Sequence, residues 1–402
     1  MTKPLRIALA GLGTVGAGVI RLLDTNGALI ARRAGRPIEI VAVSARDRSK
    51  DRGVDIGRFA WVDDTTALAH ADVDVVVELV GGSDGPALTL ARTTLGAGKS
   101  FVTANKAMLA HHGLELARAA EGANVALKFE AAVAGGVPVI KGLREGAAAN
   151  EIERVYGILN GTCNFILSKM EAEGRDFADV LAEAQALGFA ESDPSFDIDG
   201  VDAAHKVSLL ASLAFGTQPA FADVAASGIR DVLAADIAEA ASLGYRVRLI
   251  GLAESGPNGL FQRVHPHLVP VSHPLAHVIG ATNAVVADLI DIARGEFGPA
   301  FAMPADALLA QGPADAGNRM GRAYVRFTVA DRVGVLAEIA AAMRDAGVSI
   351  ESLMQRGVHA DGSVLVAIVT HEGPERSVAQ ALERLRGSQS LVGRPLWMHI
   401  LG

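Results

Sequence analysis

The chain has 402 residues, which is too long for one ordinary hydrophobic core, so two or three domains are expected. Its formal net charge of −8, without any block of like charge, argues against a nucleic-acid or anionic-membrane surface. A single cysteine, Cys163, excludes an internal disulfide framework and is typical of a reducing compartment. With no signal peptide and no apolar run of membrane-spanning length, the sequence predicts a cytoplasmic protein.

The first segment has the pattern of a dinucleotide-binding unit. Leu5–Ala10 predicts a buried parallel strand, and Gly11-Leu-Gly13-Thr-Val-Gly16 and an amphipathic helix follow it. In this setting the glycines allow a tight turn, a close approach to a pyrophosphate, and helix–strand packing. The helix N-terminus, with Thr14 and Val15, would then face the phosphates. The alternative is a glycine-rich turn that binds nothing.

The end of the second predicted strand, Ile38–Val43, bears on the choice of nicotinamide cofactor. An NAD-specific site usually has an acid there for the ribose hydroxyl, but this chain continues Ser44-Ala45-Arg46. Arg46 and a nearby cation could accept a 2′-phosphate, which favours NADP or tolerance of both cofactors. Because more basic residues follow, a solvated basic loop is the alternative.

Alternating strands and helices up to about residue 130 predict an open parallel sheet. Val73–Val80 and Ser100–Thr103 are predicted strands, with the helix Pro86–Leu95 between them. Lys106 follows a strand end, where ligands bind in such sheets, although a lone lysine is more often a surface residue. Glu130 precedes a turn of small residues that could bind a monovalent cation, but the residues alone favour a simple crossover loop.

A different pattern begins after residue 150. Ile152–Leu159 predicts a strand with one solvated face, and the polar turn Asn160–Asn164 opens a predicted helix from Phe165 to Ala172. A second amphipathic helix is predicted from Phe177 to Leu187, ended by Gly188.

An acid-rich loop then leads into a very apolar segment. The loop contains five acids: Glu191, Asp193, Asp197, Asp199 and Asp202. The segment from Lys206 to Phe215 predicts a buried helix, on which Asp202 and Lys206 would share one face. Charges in such a setting are costly unless they are paired or used, so the pattern favours proton transfer over a structural ion network.

The last part of the chain predicts a compact β-α-β-β-α-β unit of the ferredoxin-like type, at residues 322–402. Its predicted strands are Ala323–Val329, Ser349–Gln355, Val364–Thr370 and Leu396–Leu401, and its predicted helices are Gly334–Ala346 and Pro374–Arg386. Residues 301–321, rich in proline and glycine, predict a linker.

Together these features resemble homoserine dehydrogenase with a C-terminal ACT domain, over nearly the whole chain. The most specific motifs are Gly11–Gly16, Thr103–Lys106, Gly157–Thr162, Gly188–Pro194 and Asp202–Lys206. The resemblance implies an α/β protein with a Rossmann-like domain at 1–130, an α+β catalytic and dimerisation domain with a mixed sheet at 131–300, and an ACT-type regulatory domain at 322–402. It implies interconversion of L-homoserine and L-aspartate 4-semialdehyde with NAD(P), in threonine, methionine and isoleucine biosynthesis, by a homodimer or homotetramer.

The resemblance also implies roles for single residues. Lys206 would transfer the proton of the substrate hydroxyl, which suits a lysine because burial lowers the pKa of its ammonium group. Asp202 and Glu191 would hold the amino acid end of the substrate, and Lys106 would lie between cofactor and substrate. The remaining implied contacts are Asp197 and Thr162 to the substrate, Gly188 to the cofactor, and Glu130, Val133, Gly135 and Val137 to a sodium or potassium ion.

In the C-terminal unit the resemblance implies an effector site. Asp331-Arg-Val-Gly334-Val-Leu336 opens the first helix, where such domains often bind an amino acid at a subunit interface. Threonine, the end product of the pathway, is the implied effector. A purely structural dimerisation module is the alternative, since coupling between sites needs more than a fold.

Two departures from the family pattern leave other functions open. Cys163 replaces a threonine, so a semialdehyde dehydrogenase with a Cys163 thiolate and His205 as its base is one alternative. A strand pair and glycine turn that relatives carry are missing where Val286 meets Ala287, so either this protein has lost them or the numbering closes over an omitted stretch. A real loss would allow a non-catalytic sensor of amino acid or cofactor.

Overall fold

A computed structural model of the chain describes residues 3–278, 285–357 and 362–402. The strands are β1 Leu5–Ala10, β2 Ile38–Ser44, β3 Ala60–Trp61, β4 Val75–Glu78, β5 Ser100–Thr103, β6 Leu127–Lys128, β7 Arg154–Gly157, β8 Ala225–Ala226, β9 Tyr245–Gly256, β10 Gly259–Pro270, β11 Met320–Ala330, β12 Ile350–Arg356, β13 Ser363–Thr370, β14 Gly373–Pro374 and β15 Leu396–Ile400. The helices are α1 Thr14–Ala34, α2 Pro86–Gly96, α3 Lys106–Gly122, α4 Val139–Lys141, α5 Gly161–Glu173, α6 Phe177–Ala186, α7 Ser195–Ile198, α8 Val201–Phe215, α9 Ala234–Ser242, α10 Val285–Arg294, α11 Val335–Asp345 and α12 Glu375–Arg384.

The chain divides into two compact units, each built from three stretches of sequence. The first unit consists of Met1–Val155, His205–Asp223 and Ala281–Gln311, and the second of Tyr156–Ala204, Val224–Gly280 and Gly312–Gly402. Neither unit is therefore a single continuous stretch of the chain. The predicted domain limits at residues 130, 300 and 321 stay a prediction.

The first unit contains a parallel sheet of six strands in the order β3-β2-β1-β4-β5-β6. Ile7 pairs with Ile40 on one side and with Val75 on the other, so the strand order reverses between β1 and β4. β1 and β4 are almost entirely buried, as continuous apolar strands of a parallel sheet should be. This order and its switch point are those of the dinucleotide-binding fold, which confirms the predicted Rossmann-like domain.

Helix α10 completes the core of this first unit. Its residues Val285, Leu289 and Ile292 are buried in one cluster with β1 and α1. Val286 and Ala287, where the sequence predicts a lost glycine turn, are consecutive residues inside α10. The segment just before the helix, residues 279–284, lies outside the described residues.

The second sheet is mixed and has nine strands, seven of them in the order β12-β13-β11-β15-β10-β9-β7. β9 and β10 form a long antiparallel hairpin, and β10 then pairs in parallel with β15, His267 opposite His399. The C-terminal strands thus continue the sheet of the hairpin. The mixed sheet was predicted, whereas this continuity was not.

The C-terminal module has the predicted β-α-β-β-α-β order, and its elements start and end within a few residues of the predicted bounds. Its core lies between the sheet and the two helices, where Val325, Phe327, Ile339, Val366 and Ile368 are fully buried. Val325 and Phe327 alternate along β11, Val366 and Ile368 alternate along β13, and Ile339 comes from helix α11.

Some element bounds differ from the predicted ones. The helix predicted from Phe165 begins at Gly161, because the Asn160 side chain accepts a hydrogen bond from the Cys163 amide at 2.8 Å and caps it. The strand predicted from Val73 to Val80 is only Val75–Glu78.

Candidate active site

The glycine loop after β1 has the backbone geometry that an anion-binding turn requires. Gly11 has φ +100°, and a Cβ there would lie 2.6 Å from the Leu79 carbonyl oxygen. A Cβ on Gly16 would lie 2.2 Å from the Gly11 oxygen, so both positions exclude any side chain. A Cβ on Gly13 would meet nothing within 4 Å, and no side chain caps the α1 N-terminus there. The loop and the first amides of α1, from Thr14 and Val15 onward, therefore fit a diphosphate.

The basic loop after β2 is tied to the glycine loop by Arg52. The Arg52 Nε donates to the Leu12 carbonyl oxygen at 3.0 Å, and the Gly11 amide donates to the Ser44 oxygen at 2.9 Å. Arg46 is exposed at the end of β2, so its guanidinium group is accessible to a ligand. The sequence indicated Arg52 only as one more cation of the loop, and its structural role was missed.

A buried network that the sequence did not reveal fixes the carboxyl ends of β4 and β5. The Glu78 carboxylate accepts from the Gly81 amide at 2.9 Å and from the Thr103 hydroxyl at 2.5 Å. Thr103 accepts from the Asn105 amide at 2.9 Å, and the Asn105 side chain caps α3 through the Met108 amide at 3.0 Å. Lys106, the first residue of α3, is thereby held at the edge of the sheet where ligands bind. A buried acid at the end of an apolar strand was the available signal.

In the second unit Asn160 connects two of the predicted acids. Its Nδ2 donates to Asp197 Oδ1 at 2.7 Å and to Asp202 Oδ2 at 2.9 Å. The Thr162 hydroxyl donates to Asp197 Oδ2 at 3.1 Å. Three predicted substrate residues, Asp197, Asp202 and Thr162, therefore come together, and Asp202 is only 3% exposed. Asn160 was part of a predicted motif but was not predicted as a site residue.

The other acids of the loop have different surroundings. Asp199 forms an ion pair with Arg230. The Ser195 hydroxyl and the Ser195 amide, the latter at 3.1 Å, donate to the Asp193 carboxylate and lower its pKa. Both therefore stabilise the loop itself. Glu191 is exposed, so its carboxylate is accessible to a ligand.

Close backbone contacts hold the acid loop against the rest of its unit. The Ile229 amide donates to the Ile198 oxygen at 2.9 Å, and a Cβ on Gly228 would lie 1.9 Å from that oxygen. Only glycine allows this approach. The position of the acids next to Ile198 therefore depends on backbone packing as well as on side-chain hydrogen bonds.

Helix α8 follows the loop and carries Asp202 in its first turn and Lys206 one turn later. The predicted buried helix is confirmed, because Val207, Leu209 and Leu213 are at most 5% exposed. Lys206 is half-buried. A helix that is apolar on most sides thus presents a single acid and a single lysine at its start.

Gly188 lies just past α6 with φ +77°, a left-handed conformation that ends helices and favours glycine. Its neighbour Phe189 is 57% exposed and stacks on Phe165 with ring centroids 4.6 Å apart. The Phe189 oxygen accepts from the Thr162 hydroxyl at 3.1 Å. The predicted cofactor contact Gly188 is therefore adjacent to the predicted substrate residue Thr162.

Cys163 and His205 do not have the surroundings of a nucleophile and its base. Cys163 is fully buried, and its thiol donates to the Asp197 carbonyl oxygen at 3.2 Å. His205 is buried in an aromatic cluster, stacked on Phe221 at 4.1 Å between ring centroids and 5.5 Å from His111. These contacts favour a packing role for both side chains.

The carboxylate of Glu130, one of the predicted cation residues, already accepts two hydrogen bonds. Glu130 accepts from the amides of Ile140 at 2.9 Å and Lys141 at 2.8 Å. Its own amide donates to Asp288, whose pKa is raised to about 7 by burial. Each Glu130 oxygen keeps a further lone pair for a cation. Of the other three residues, Val133 is buried, Gly135 half-buried and Val137 62% exposed.

Among the described residues, no helix is long and apolar enough to cross a membrane.

Comparison with protein families matches three models along the chain. They are homoserine dehydrogenase NAD-binding domain at residues 11–130, homoserine dehydrogenase at 138–293, and ACT domain at 323–387. Homoserine dehydrogenase of Pseudomonas aeruginosa is 40% identical over 425 residues and covers 97% of both chains. That of Neisseria gonorrhoeae is 41% identical over 428 residues and covers 98% of both. Both alignments are longer than this chain, so the relatives contain residues without a counterpart here.

Solved structures agree with these sequence matches. A homoserine dehydrogenase from Thiobacillus denitrificans has a TM-score of 0.91 at 36% identity, covering 99% of this chain and 98% of that one. The enzyme of S. aureus has a TM-score of 0.74 at 31% identity over the full length of both chains. A hyperthermophilic archaeal homoserine dehydrogenase in complex with NADPH has a TM-score of 0.61 at 25% identity, covering 74% of this chain and 99% of that one.

Proposed function

The chain belongs to the homoserine dehydrogenase family, and from this we propose which of its residues serve the NAD(P)-dependent reaction. The enzyme interconverts L-homoserine and L-aspartate 4-semialdehyde. Its family, and the glycine loop that fits a diphosphate, support a nicotinamide dinucleotide as cofactor. The bound nicotinamide supplies the hydride chemistry. The protein residues bind and orient the substrate and the cofactor, and they transfer the proton.

Lys206 is proposed as the residue that takes the proton of the substrate hydroxyl and returns it in the reverse direction. A hydride can leave the hydroxyl-bearing carbon only as that proton leaves. Lys206 is half-buried at the start of an apolar helix, one turn after Asp202, which limits competing protonation by bulk water. This placement is the single observation that supports the role best.

The carboxylates of Asp202 and Asp197 are proposed to bind the ammonium group of the substrate. Asn160 holds both through its amide, and Thr162 holds Asp197 on the other side. Two carboxylates held side by side suit a substrate that brings a positive charge. Glu191, which is exposed, would contact the amino acid end from the loop.

Cofactor contacts are proposed at the glycine loop, at Arg46, at Lys106 and at Gly188. Gly11, Gly13, Thr14, Val15 and Gly16 would bind the diphosphate through backbone amides. Arg46 is exposed, and β2 does not end in the acid that an NAD-specific site usually has there. Both observations favour NADP. Lys106 would bind cofactor or substrate from the start of α3, and Gly188 would allow a close backbone contact.

A sodium or potassium ion is proposed at Glu130, with carbonyl oxygens of Val133, Gly135 and Val137. The support is chemical, since one buried carboxylate beside a turn of small residues offers hard oxygen ligands. The ion would brace the turn that leads into α4.

The C-terminal ACT domain supports regulation by a small molecule, and we propose L-threonine at Asp331–Leu336. A homodimer or homotetramer would bring two such segments together. The cytoplasmic location stays a prediction.

The test is an absorbance assay at 340 nm with L-homoserine and either NAD or NADP, on the wild type and on Lys206→Ala. We expect Lys206→Ala to lower kcat by about 100-fold or more, the usual range for a lost proton-transfer group. Lys3→Ala, at an exposed position before β1, is the control and should keep its activity. Equal turnover in Lys206→Ala and the control would overturn the proposed role.

A further inference from the structure

Helix α10 carries two buried acids, Asp288 and Asp291, that both contact the segment formed by residues 130–141. Asp288 is 2% exposed and Asp291 is 3% exposed. Residues three apart on a helix lie on the same face, so the two carboxylates point the same way. The apolar residues of α10 pack into the core of the first unit, which also contains the 130–141 segment. The helix is therefore a firm support for both carboxylates.

The first acid holds the beginning of the segment. The Glu130 amide donates to Asp288 Oδ2 at 2.9 Å, in a contact that is buried on both sides. A buried amide needs an acceptor, and here the acceptor is a side chain from a helix more than 150 residues later in the chain. Asp288 thereby fixes the backbone of the residue whose carboxylate is the proposed cation ligand.

The second acid holds the end of the segment. Lys141 Nζ donates to Asp291 Oδ1 at 2.7 Å, and the two side chains are 33% and 5% exposed. Glu145 and Glu296 lie farther from the same ammonium group, at 3.7 and 3.9 Å. Asp291 is thus the nearest of these three acids and the most deeply buried of them.

The Glu130 side chain joins the two ends of the segment to each other. Its oxygens accept from the Ile140 amide at 2.9 Å and from the Lys141 amide at 2.8 Å. The segment is therefore a closed loop with both ends tied to α10. The proposed carbonyl ligands lie inside this loop, so a shift of either end would move them relative to the Glu130 carboxylate.

We propose that Asp288 and Asp291 are positioning residues for the cation site, and that they set its affinity by fixing the two ends of the 130–141 segment. Neither acid is proposed as a ligand. The inference rests on the sodium or potassium site proposed at Glu130. Groups that hold a metal ligand in place typically change the affinity for the ion by about 10- to 100-fold when they are removed. The alternative is that the two acids only anchor α10, in which case the cation affinity would not depend on them.

The test is thermal unfolding of the full-length protein in increasing NaCl or KCl, with the ionic strength kept constant by choline chloride. An ion that binds only the folded state raises the Tm as its concentration increases. We expect Asp288→Ala to need about tenfold more salt than the wild type for the same rise in Tm. Asp288→Asn keeps an oxygen that can accept from the Glu130 amide, so it should need less than about threefold more.

Asp291→Ala tests the same role at the other end of the segment, and also serves if Asp288→Ala does not fold. It should need about threefold more salt, because Glu145 and Glu296 still lie near Lys141. The matched control is Glu121→Ala, which removes another carboxylate of the first unit that accepts a backbone amide, that of Ala305 at 3.0 Å. Its salt response should equal that of the wild type.

Hydrogen exchange gives a second readout that needs no cation. In choline chloride alone, peptides that span residues 131–139 should exchange faster in Asp288→Ala than in the wild type, because one end of the segment is released. Unchanged exchange in these peptides, or faster exchange confined to α10, would overturn the positioning role.

The salt response separates this inference from the proposed cation site. If the Tm of the wild type rises no more in NaCl or KCl than in choline chloride, the cation site itself is wrong and the inference falls with it. If the wild type responds and Asp288→Ala responds equally, only the positioning role is wrong. Equal losses in Asp288→Ala and Asp288→Asn would also overturn it, because the charge and not the hydrogen bond would then matter. Turnover plays no part in either readout.

Discussion

Arg263 of strand β10 and Glu375 of helix α12 form a buried ion pair joined by two parallel hydrogen bonds. Arg263 Nη1 donates to Glu375 Oε1 at 2.9 Å and Nη2 donates to Oε2, and the two side chains are 7% and 5% exposed. Arg319 adds a third bond, to Glu375 Oε1 at 3.3 Å. The pair connects the catalytic hairpin to the C-terminal module inside the second unit.

Breaking this pair from one side should be costly. Arg263→Met leaves the Glu375 carboxylate buried with less charge compensation, so we expect a loss of about 3–5 kcal/mol in the free energy of unfolding. The double variant Arg263→Met/Glu375→Leu should recover most of it, because no charge is left buried. Urea unfolding measures both. Asp306→Ala, which breaks an exposed pair with Arg118, is the control and should change stability by less than about 1 kcal/mol. A similar small loss in Arg263→Met would contradict the expectation.

Acid should weaken the same region. Burial lowers the pKa of His265 to about 4 and that of His267 to about 3. Unfolded histidines titrate near pH 6.5, so the unfolded state binds more protons below that pH and stability falls as the pH drops from about 6.5 to about 4. His265 alone accounts for a loss on the order of 3 kcal/mol. The charged and titratable groups that face His265 and His267 are Arg263, Arg319, Glu375 and His399.

Urea unfolding at pH 7 and pH 4.5 measures this effect. His267→Gln should reduce the difference between the two pH values, because it removes one group that resists protonation. His70→Gln changes an exposed histidine and should leave the difference unchanged. If the free energy of unfolding of His267→Gln falls as much between pH 7 and pH 4.5 as that of the wild type, other groups cause the acid sensitivity.

Two glycine-to-alanine variants, one in the glycine loop and one in helix α1, provide a matched test of cofactor binding. Gly13→Ala adds a methyl group that meets nothing within 4 Å in the protein, so the variant should fold normally. We expect it to weaken NADPH binding by about tenfold or more, because the methyl group occupies the approach of the diphosphate. Gly18→Ala, inside α1 and equally free of clashes, should bind NADPH as the wild type does. Fluorescence titration measures the Kd for NADPH of both variants. Equal affinities would mean that the diphosphate binds elsewhere.

Asn160 should be as important as the acids it holds. Asn160→Ala removes the amide that joins Asp197 to Asp202, so we expect kcat/KM for L-homoserine to fall by about 100-fold. NADPH binding should be unchanged, because the amide contacts no proposed cofactor residue. The lost helix cap costs about 1 kcal/mol, which a melting curve separates from the catalytic effect. Asn150→Ala, an exposed asparagine, serves as the control. A uniform loss of cofactor and substrate binding would indicate misfolding instead.

Cys163 should be dispensable for chemistry. The thiol is buried and hydrogen-bonded to a backbone oxygen, so Cys163→Thr should keep kcat within about threefold. A thiolate mechanism would require complete loss of activity in this variant. The 340 nm assay distinguishes the two outcomes.

Much of the fold could be predicted because local patterns agree with tertiary packing. β1 is apolar apart from Arg6, and the structure buries all of it except Arg6, which is half-buried. The glycine spacing predicted a turn whose clashes at Gly11 and Gly16 allow only glycine. In the C-terminal module the predicted strands Ala323–Val329 and Val364–Thr370 correspond to β11 and β13, which are longer by a few residues at most.

The missed features depend on contacts distant in sequence. Glu78 looks like one acid at the end of a strand, and only the fold brings it to Thr103. Asn160 caps a helix locally, and its second role arises because Asp197 and Asp202 return to it about forty residues later. The predicted helix start at Phe165 was wrong for a local reason, since the Asn160 cap was not recognised in the motif.

The pairing of β10 with β15 has a practical consequence for work with shortened forms of this protein. Removing residues 322–402 would take away not only a ligand-binding module but also the strand that covers one edge of β10 at His267 and Leu268. An uncovered edge of a long, largely buried strand invites pairing with another molecule, and Arg263 would lose its buried carboxylate at the same time. If a truncated enzyme is inactive or insoluble, the exposed sheet edge is therefore a sufficient explanation. Such a result would not show whether regulation is needed for turnover.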